Sequence, residues 1–219
     1  GTSFWTQTIT AQLKKLSNWN IVKTEIDKLE ETPKGENFED FVISMMGPTL
    51  YEMFIRGYSI KQWGNNLKEL SNNFAPKRIE LRSDGYTRLF KDKYEFFHPE
   101  GASPIIENIV KNIEIELKKE VNINNVSDEF SNFDFLILTC PLDSFLNKDI
   151  LKWRGIKLDP NYFPDLELEE KITENYVINY PDLDVPYTRT IETKHASGQK
   201  VNASVVAYEY PGTEDNHYP

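Results

Sequence analysis

Apolar residues recur at helical spacing through the first third of the chain. Leu13 and Leu16, then Val22, Ile26 and Leu29, interrupted around residues 17–20, predict two helices within residues 4–31. Asn37 stands where an N-cap belongs, ahead of Phe38, Phe41, Val42 and Met45, and Gly47-Pro48 ends that helix and opens another. Leu50, Tyr51 and Phe54 continue the pattern, while Ser59 and Gln62 have the spacing of a capping box, which predicts a break at Gly57 and a short restarted helix. Beyond Asn72-Asn73-Phe74-Ala75-Pro76 the period changes to two. Arg78-Ile79-Glu80-Leu81-Arg82 alternates, so Arg78 and Arg82 project from one face of a strand. Ser103-Pro104 opens a helix over 104–119 with Ile106, Ile109, Val110, Ile113 and Leu117 as its stripe. Residues 121–126, 133–139, 153–158, 176–180 and 201–210 then read as strands, the second a buried apolar run, with turns at Asp159-Pro160-Asn161 and Ala196-Ser197-Gly198. The fold class expected is α+β, a small helical bundle packed beside a largely antiparallel β-sheet. Residues 1–72 would form the bundle, joined by the helix at 104–119, and 73–219 the sheet domain.

Composition narrows the chemistry. The 219 residues are 39% hydrophobic and 13% aromatic, enough for a sizeable core, and no apolar run approaches the roughly 20 residues that span a bilayer. A cytoplasmic, membrane-free protein is expected. One cysteine, Cys140, excludes an internal disulfide framework, and His98, His195 and His217 have no metal-ligand spacing, so no metal is expected. A net charge of −10, from 25 basic and 35 acidic residues, would repel nucleic acid. A phosphate ester would have to be met by a few locally placed arginines, among Arg56, Arg78, Arg82, Arg88, Arg154 and Arg189.

Two stretches carry candidate chemistry. In Phe54-Ile55-Arg56-Gly57-Tyr58-Ser59-Ile60-Lys61-Gln62-Trp63-Gly64, aromatic faces suited to a base or sugar lie beside cations suited to a phosphate, although buried helix-corner aromatics would give the same pattern. Residues 179–189, Asn-Tyr-Pro-Asp-Leu-Asp-Val-Pro-Tyr-Thr-Arg, make a poor helix and a poor central strand and read equally as a structural corner or a ligand loop. No Gly-x-Gly-x-x-Gly follows a strand, so the chain has no dinucleotide-binding fingerprint.

Taken together and in this order, these stretches, with Arg78-Ile79-Glu80-Leu81-Arg82 and Thr139-x-Pro141-Leu142-Asp143, resemble the central region of UDP-galactopyranose mutases. The resemblance covers nearly the whole chain, more loosely before residue 38. It implies interconversion of UDP-galactopyranose and UDP-galactofuranose, with reduced FAD as the nucleophile that expels UDP. It implies Phe54 and Tyr58 around the uracil, Ser59 near the nucleotide, Trp63 beside the sugar and Asn179 bonded to sugar or phosphate. Arg82 and Arg189 would be catalytic clamps on the diphosphate, with Tyr94 and Tyr218 bonded to it. The expected partners are UDP-galactose or a related UDP-sugar, and either a second copy of the chain or a separate flavin-binding module. Because the FAD-binding segments of the family lie outside the resemblance, the chain is expected to be inactive alone. Two alternatives stand beside the isomerase: a non-enzymatic UDP-sugar-binding module, and an interaction domain using the stripe from Ile106 to Leu117.

Overall fold

The computed structural model describes residues 13–64, 66–74, 93–94, 96–150 and 155–212. The expected strand at 78–82, with Arg82, and the closing segment with Tyr218 lie outside the described residues. The chain divides into two compact units, one of residues 1–99 and 157–211, the other of residues 100–156 and 212–219.

The first unit joins helices to a sheet, as an α+β fold requires. Helix α1 (Trp19–Ile26) precedes α2 (Phe38–Met46), whose cap is the one expected: Asn37 Oδ1 accepts the Asp40 N–H at 2.9 Å. Gly47, at φ +87°, ends α2, and Pro48 opens α3 (Pro48–Leu50). The core gathers Val22, Phe38, Val42, Met46, Leu50 and Tyr51, all at most 2% exposed. Two carboxylates bind it together. Glu25 accepts the backbone N–H and the hydroxyl of Thr49, and Glu39 accepts the hydroxyl of Tyr51 at 2.9 Å. Burial first, and then that carboxylate, hold the Tyr51 phenol protonated far above its ordinary range.

The expected break at Gly57 is absent. α3 runs through a π-helical turn (Tyr51–Arg56) directly into α4 (Gly57–Trp63), Gly57 has an ordinary helical φ of −65°, and Ser59 is a buried interior residue rather than a cap. Gly57 is needed for room, not for a turn: a Cβ there would lie 2.0 Å from the carbonyl oxygen of Pro181.

The sheet has the order β1-β4-β3-β2, with β1 (Ile156–Phe163), β2 (Val177–Asn179), β3 (Arg189–Glu192) and β4 (Ser204–Pro211). The β2–β3 and β3–β4 pairs are antiparallel, with Asn179 opposite Arg189 and Arg189 opposite Glu209. Three expected strands thus form. The turn at 159–161 does not, because β1 continues through Pro160; as the edge strand it has a side that owes no hydrogen bonds, where proline is tolerated. Behind the sheet, Glu192 is fully buried and accepts the N–H groups of Ile172 and Thr173 and the hydroxyls of Thr173 and Ser204. Burial pushes its pKa up, but these four donors outweigh it and hold the value down at about 2.

The second unit departs further from the sequence pattern. Its first helix, α5 (Ser103–Val110), stops well short of residue 119: Ile113 and Leu117 are spaced to continue its face, but Ile115 between them falls on the opposite side, so residues 113–117 alternate with a period of two rather than a helical one. Residues 121–126 lead into a short helix, α6 (Val126–Glu129), rather than forming a strand. Residues 133–139 are neither strand nor buried: Phe135 is 91% and Ile137 86% exposed, and no described segment supplies the hydrogen-bond ladder that would make them a strand. A last helix, α7 (Leu142–Leu146), buries Phe145. Among the described residues no helix is long and apolar enough to cross a membrane.

Candidate functional site

The two stretches singled out in the sequence meet in the first unit. Helix α4 presents Gly57, Tyr58 and Lys61 toward the segment that joins β2 to β3. Gly57 and Lys61, four residues apart, lie on the same helix face. Pro181 fits against Gly57, where any side chain would collide. Lys61 Nζ donates to the carbonyl of Tyr180 at 2.7 Å and to that of Tyr187 at 3.0 Å. Burial lowers the pKa of this ammonium, against the opposing pull of Asp182 and Asp184. Sequence reading had placed Lys61 or Arg56 near a phosphate. Instead Lys61 is engaged by backbone carbonyls, and Arg56 lies 3.6 Å from Glu52 on its own helix.

The connecting segment is an ordered structure. Tyr180 N–H donates to the Thr188 carbonyl, Thr188 N–H to the Glu209 carbonyl, and Val185 N–H closes a turn on Asp182. Tyr187 packs edge-on against Tyr180, Tyr208 and Tyr210, with ring centroids 4.8 to 6.0 Å apart.

Arg189 emerges at the start of β3 with its guanidinium held from two sides. An Nη2 N–H donates to the Tyr58 hydroxyl, and the guanidinium carbon lies 5.8 Å from the Tyr58 ring centroid. Nε sits 3.0 Å from Glu209 Oε1, close enough for an ion pair, but its N–H is not aimed along that line and makes no hydrogen bond among the described residues. Glu209 is itself fastened, accepting the Thr188 hydroxyl at 2.8 Å. Across the ladder, Asn179 Oδ1 is buried and accepts no hydrogen bond among the described residues. A planar cation whose orientation is preset and a buried amide oxygen without a donor among the described residues stand as neighbours on one sheet face. Such a pair suits a ligand that combines an anionic oxygen with a hydroxyl or amide donor.

Of the residues singled out in the sequence, Tyr58, Asn179 and Arg189 come together. Ser59 is buried one residue beyond Tyr58, and Phe54 lies in the helical core. Trp63 is 41% exposed and meets Phe74 edge-on, and Tyr94 is 73% exposed with the Lys93 ammonium over its ring. No hydrogen bond or ring contact among the described residues links these last two to the Arg189 cluster. Sequence reading missed Glu209, which pairs with Arg189, and the role of Thr188, which holds Glu209. The one available signal was Glu209 set between Tyr208 and Tyr210 in a strand, a charge that needs a partner once buried.

Residues 53–219 match the family described as UDP-galactopyranose mutase. The chain is 28% identical over 180 residues to a dTDP-fucopyranose mutase of Escherichia coli, across 80% of this chain and 46% of that protein. It is 30% identical over 176 residues to a probable UDP-galactopyranose mutase of Klebsiella pneumoniae, across 80% of this chain and 44% of that protein. The chain therefore spans less than half the length of these relatives.

Proposed function

The chain belongs to the UDP-galactopyranose mutase family, and from that premise we propose that the Tyr58–Asn179–Arg189 cluster binds the diphosphate of a nucleotide sugar, as the substrate-binding part of an isomerase converting UDP-galactopyranose to UDP-galactofuranose. The observation that carries this reading is the buried Asn179 Oδ1, unpartnered among the described residues, opposite a preset guanidinium. In the isomerisation, bond cleavage at the anomeric carbon leaves charge on the departing diphosphate. A fixed cation with paired donors stabilises that charge without reorganising when it forms. Arg189 has this character, since the Tyr58 hydroxyl accepts from it and the Glu209 carboxylate lies beside it before any ligand arrives. Asn179 Oδ1 would accept a hydroxyl of the sugar. Trp63 and Tyr94, both exposed, would complete the sugar and diphosphate contacts, with Phe54 and Ser59 shaping the wall behind Tyr58 and with Arg82 and Tyr218 adding to the clamp.

FAD, which the family resemblance implies, would supply the nucleophile. Among the described residues no strand-to-helix turn of the Gly-x-Gly-x-x-Gly kind is present to receive its pyrophosphate. What this chain's residues do is bind and orient the nucleotide sugar.

The two relatives' names pair uracil or thymine nucleotides with different sugars, so the shared chemistry is a pyrimidine nucleoside diphosphate. Calorimetric titration with UDP, dTDP and uridine tests the reading. Binding of a nucleoside diphosphate with no measurable binding of uridine is expected. Equal affinity for uridine and UDP would remove Arg189 as a diphosphate clamp.

A further inference from the structure

We propose that Lys61 is a positioning residue for the Arg189 site, its ammonium pinning both ends of the 180–187 loop to the helix face that carries Tyr58. The inference rests on the reading of Arg189 as the diphosphate clamp and adds a residue to it.

The geometry is a three-point attachment. Lys61 donates to the Tyr180 carbonyl, just after Asn179, and to the Tyr187 carbonyl, two residues before Arg189. Gly57, one turn earlier on the same face, receives the Pro181 carbonyl at a distance no side chain would allow. Between them Tyr58 accepts from Arg189. Asn179 and Arg189 flank the pinned loop and face each other across the β2–β3 ladder, so the loop's attachment sets how both site residues stand relative to Tyr58. A lysine placed to bind phosphate would keep its ammonium toward the ligand. Here it is directed at carbonyls and half buried, with Asp182 and Asp184 of the same loop acting on it as opposite charges.

The chemistry suits the task. An ammonium offers three donors from one point and can satisfy two converging carbonyl oxygens at once, whereas a methionine of similar length has no donor for either. Loss of the ammonium leaves two half-buried carbonyls without their donor, and the loop with only its internal hydrogen bonds and the contact at Gly57.

Lys61→Met, which keeps the stem and removes the donors, is the test, read by hydrogen exchange in the absence of ligand and by UDP titration. The amides of Tyr180, Val185 and Thr188 are the reporters, because each is bonded within the loop or to its supports. Their exchange is expected to rise about 10-fold or more, with the amides of α2 unchanged, and UDP affinity to fall about 10-fold. Faster exchange throughout the unit would mean a general role in stability and would overturn the proposal. Unchanged loop exchange with weakened UDP binding would show that Lys61 acts only as a nearby charge, which would also overturn it. If the unsubstituted protein fails to bind UDP, the Arg189 reading falls, while loop exchange still decides whether Lys61 pins the loop.

Discussion

Gly57→Ala separates two effects of opposite sign. Within a helix, replacing glycine by alanine ordinarily stabilises by about 1 kcal/mol, because glycine has more backbone freedom to lose. Gly57 has ordinary helical dihedrals, so that gain is available in full. Against it stands a Cβ 2.0 Å from Pro181 O, 3.1 Å from the Pro181 carbonyl carbon and 3.6 Å from Leu183 Cδ2. Ordinary carbon–oxygen contacts begin near about 3.3 Å, so the backbone of helix and loop must separate by more than about 1 Å. The obstacle is a main-chain carbonyl, which cannot swing aside as a side chain would. Such a displacement carries Tyr180 O, now 2.7 Å from the Lys61 ammonium, beyond hydrogen-bond reach. Losing a bond to a charged donor costs about 1.5 to 3 kcal/mol and crowding a packed contact about 1 to 3 kcal/mol. The sum exceeds the propensity gain, leaving a net loss of about 1.5 to 5 kcal/mol. Urea unfolding followed by circular dichroism measures it, with a lower midpoint and an unchanged slope expected. A midpoint raised by the equivalent of about 1 kcal/mol would show that the loop does not rest on the helix, and the account of the site's support would fail.

Three further outcomes follow from the same structure. Glu192→Gln replaces an acceptor of four donors with a group that carries donors itself, and should destabilise by about 1 to 3 kcal/mol in chemical unfolding. Because the folded pKa of Glu192 is depressed from 4.5 to about 2, its stabilisation is complete above about pH 4.5 and is lost as pH falls through about 2. Acid unfolding of the Glu192→Gln variant should accordingly be shallower between those values, and parallel acid limbs would argue against a buried carboxylate network. Tyr58→Phe removes the hydroxyl that accepts from Arg189 and should weaken UDP binding by about 1 kcal/mol, with the melting midpoint nearly unchanged; full affinity in calorimetry would mean that Tyr58 does not orient the guanidinium.

The helical half of the first unit was legible because its signals are local. Asn37 as a cap, Gly47-Pro48 as a boundary and the stripe of Phe38 and Val42 each act within a turn or two of chain, and each forms as expected. Gly57 was misread because its reason lies 124 residues away, at the Pro181 carbonyl, where no local pattern can show it. Lys61 was misread for the same cause: its identity announces a cation, but only the fold shows that the cation meets two carbonyls. In the second unit, the apolar run at 133–139 has the composition of a buried strand. Strand formation needs a neighbour with matching hydrogen bonds, and composition does not provide one. The meeting of Tyr58 with Arg189 was visible only through the family resemblance, which joined two stretches that periodicity left separate.

The most direct measurement is calorimetric titration of the 219-residue chain and its Arg189→Ala variant with UDP. The site as described predicts that the unsubstituted chain binds and that the variant loses about 2 to 4 kcal/mol, roughly 30-fold or more in Kd, with its fold retained by circular dichroism. UDP binding of equal strength in both would contradict the assignment of the diphosphate to Arg189.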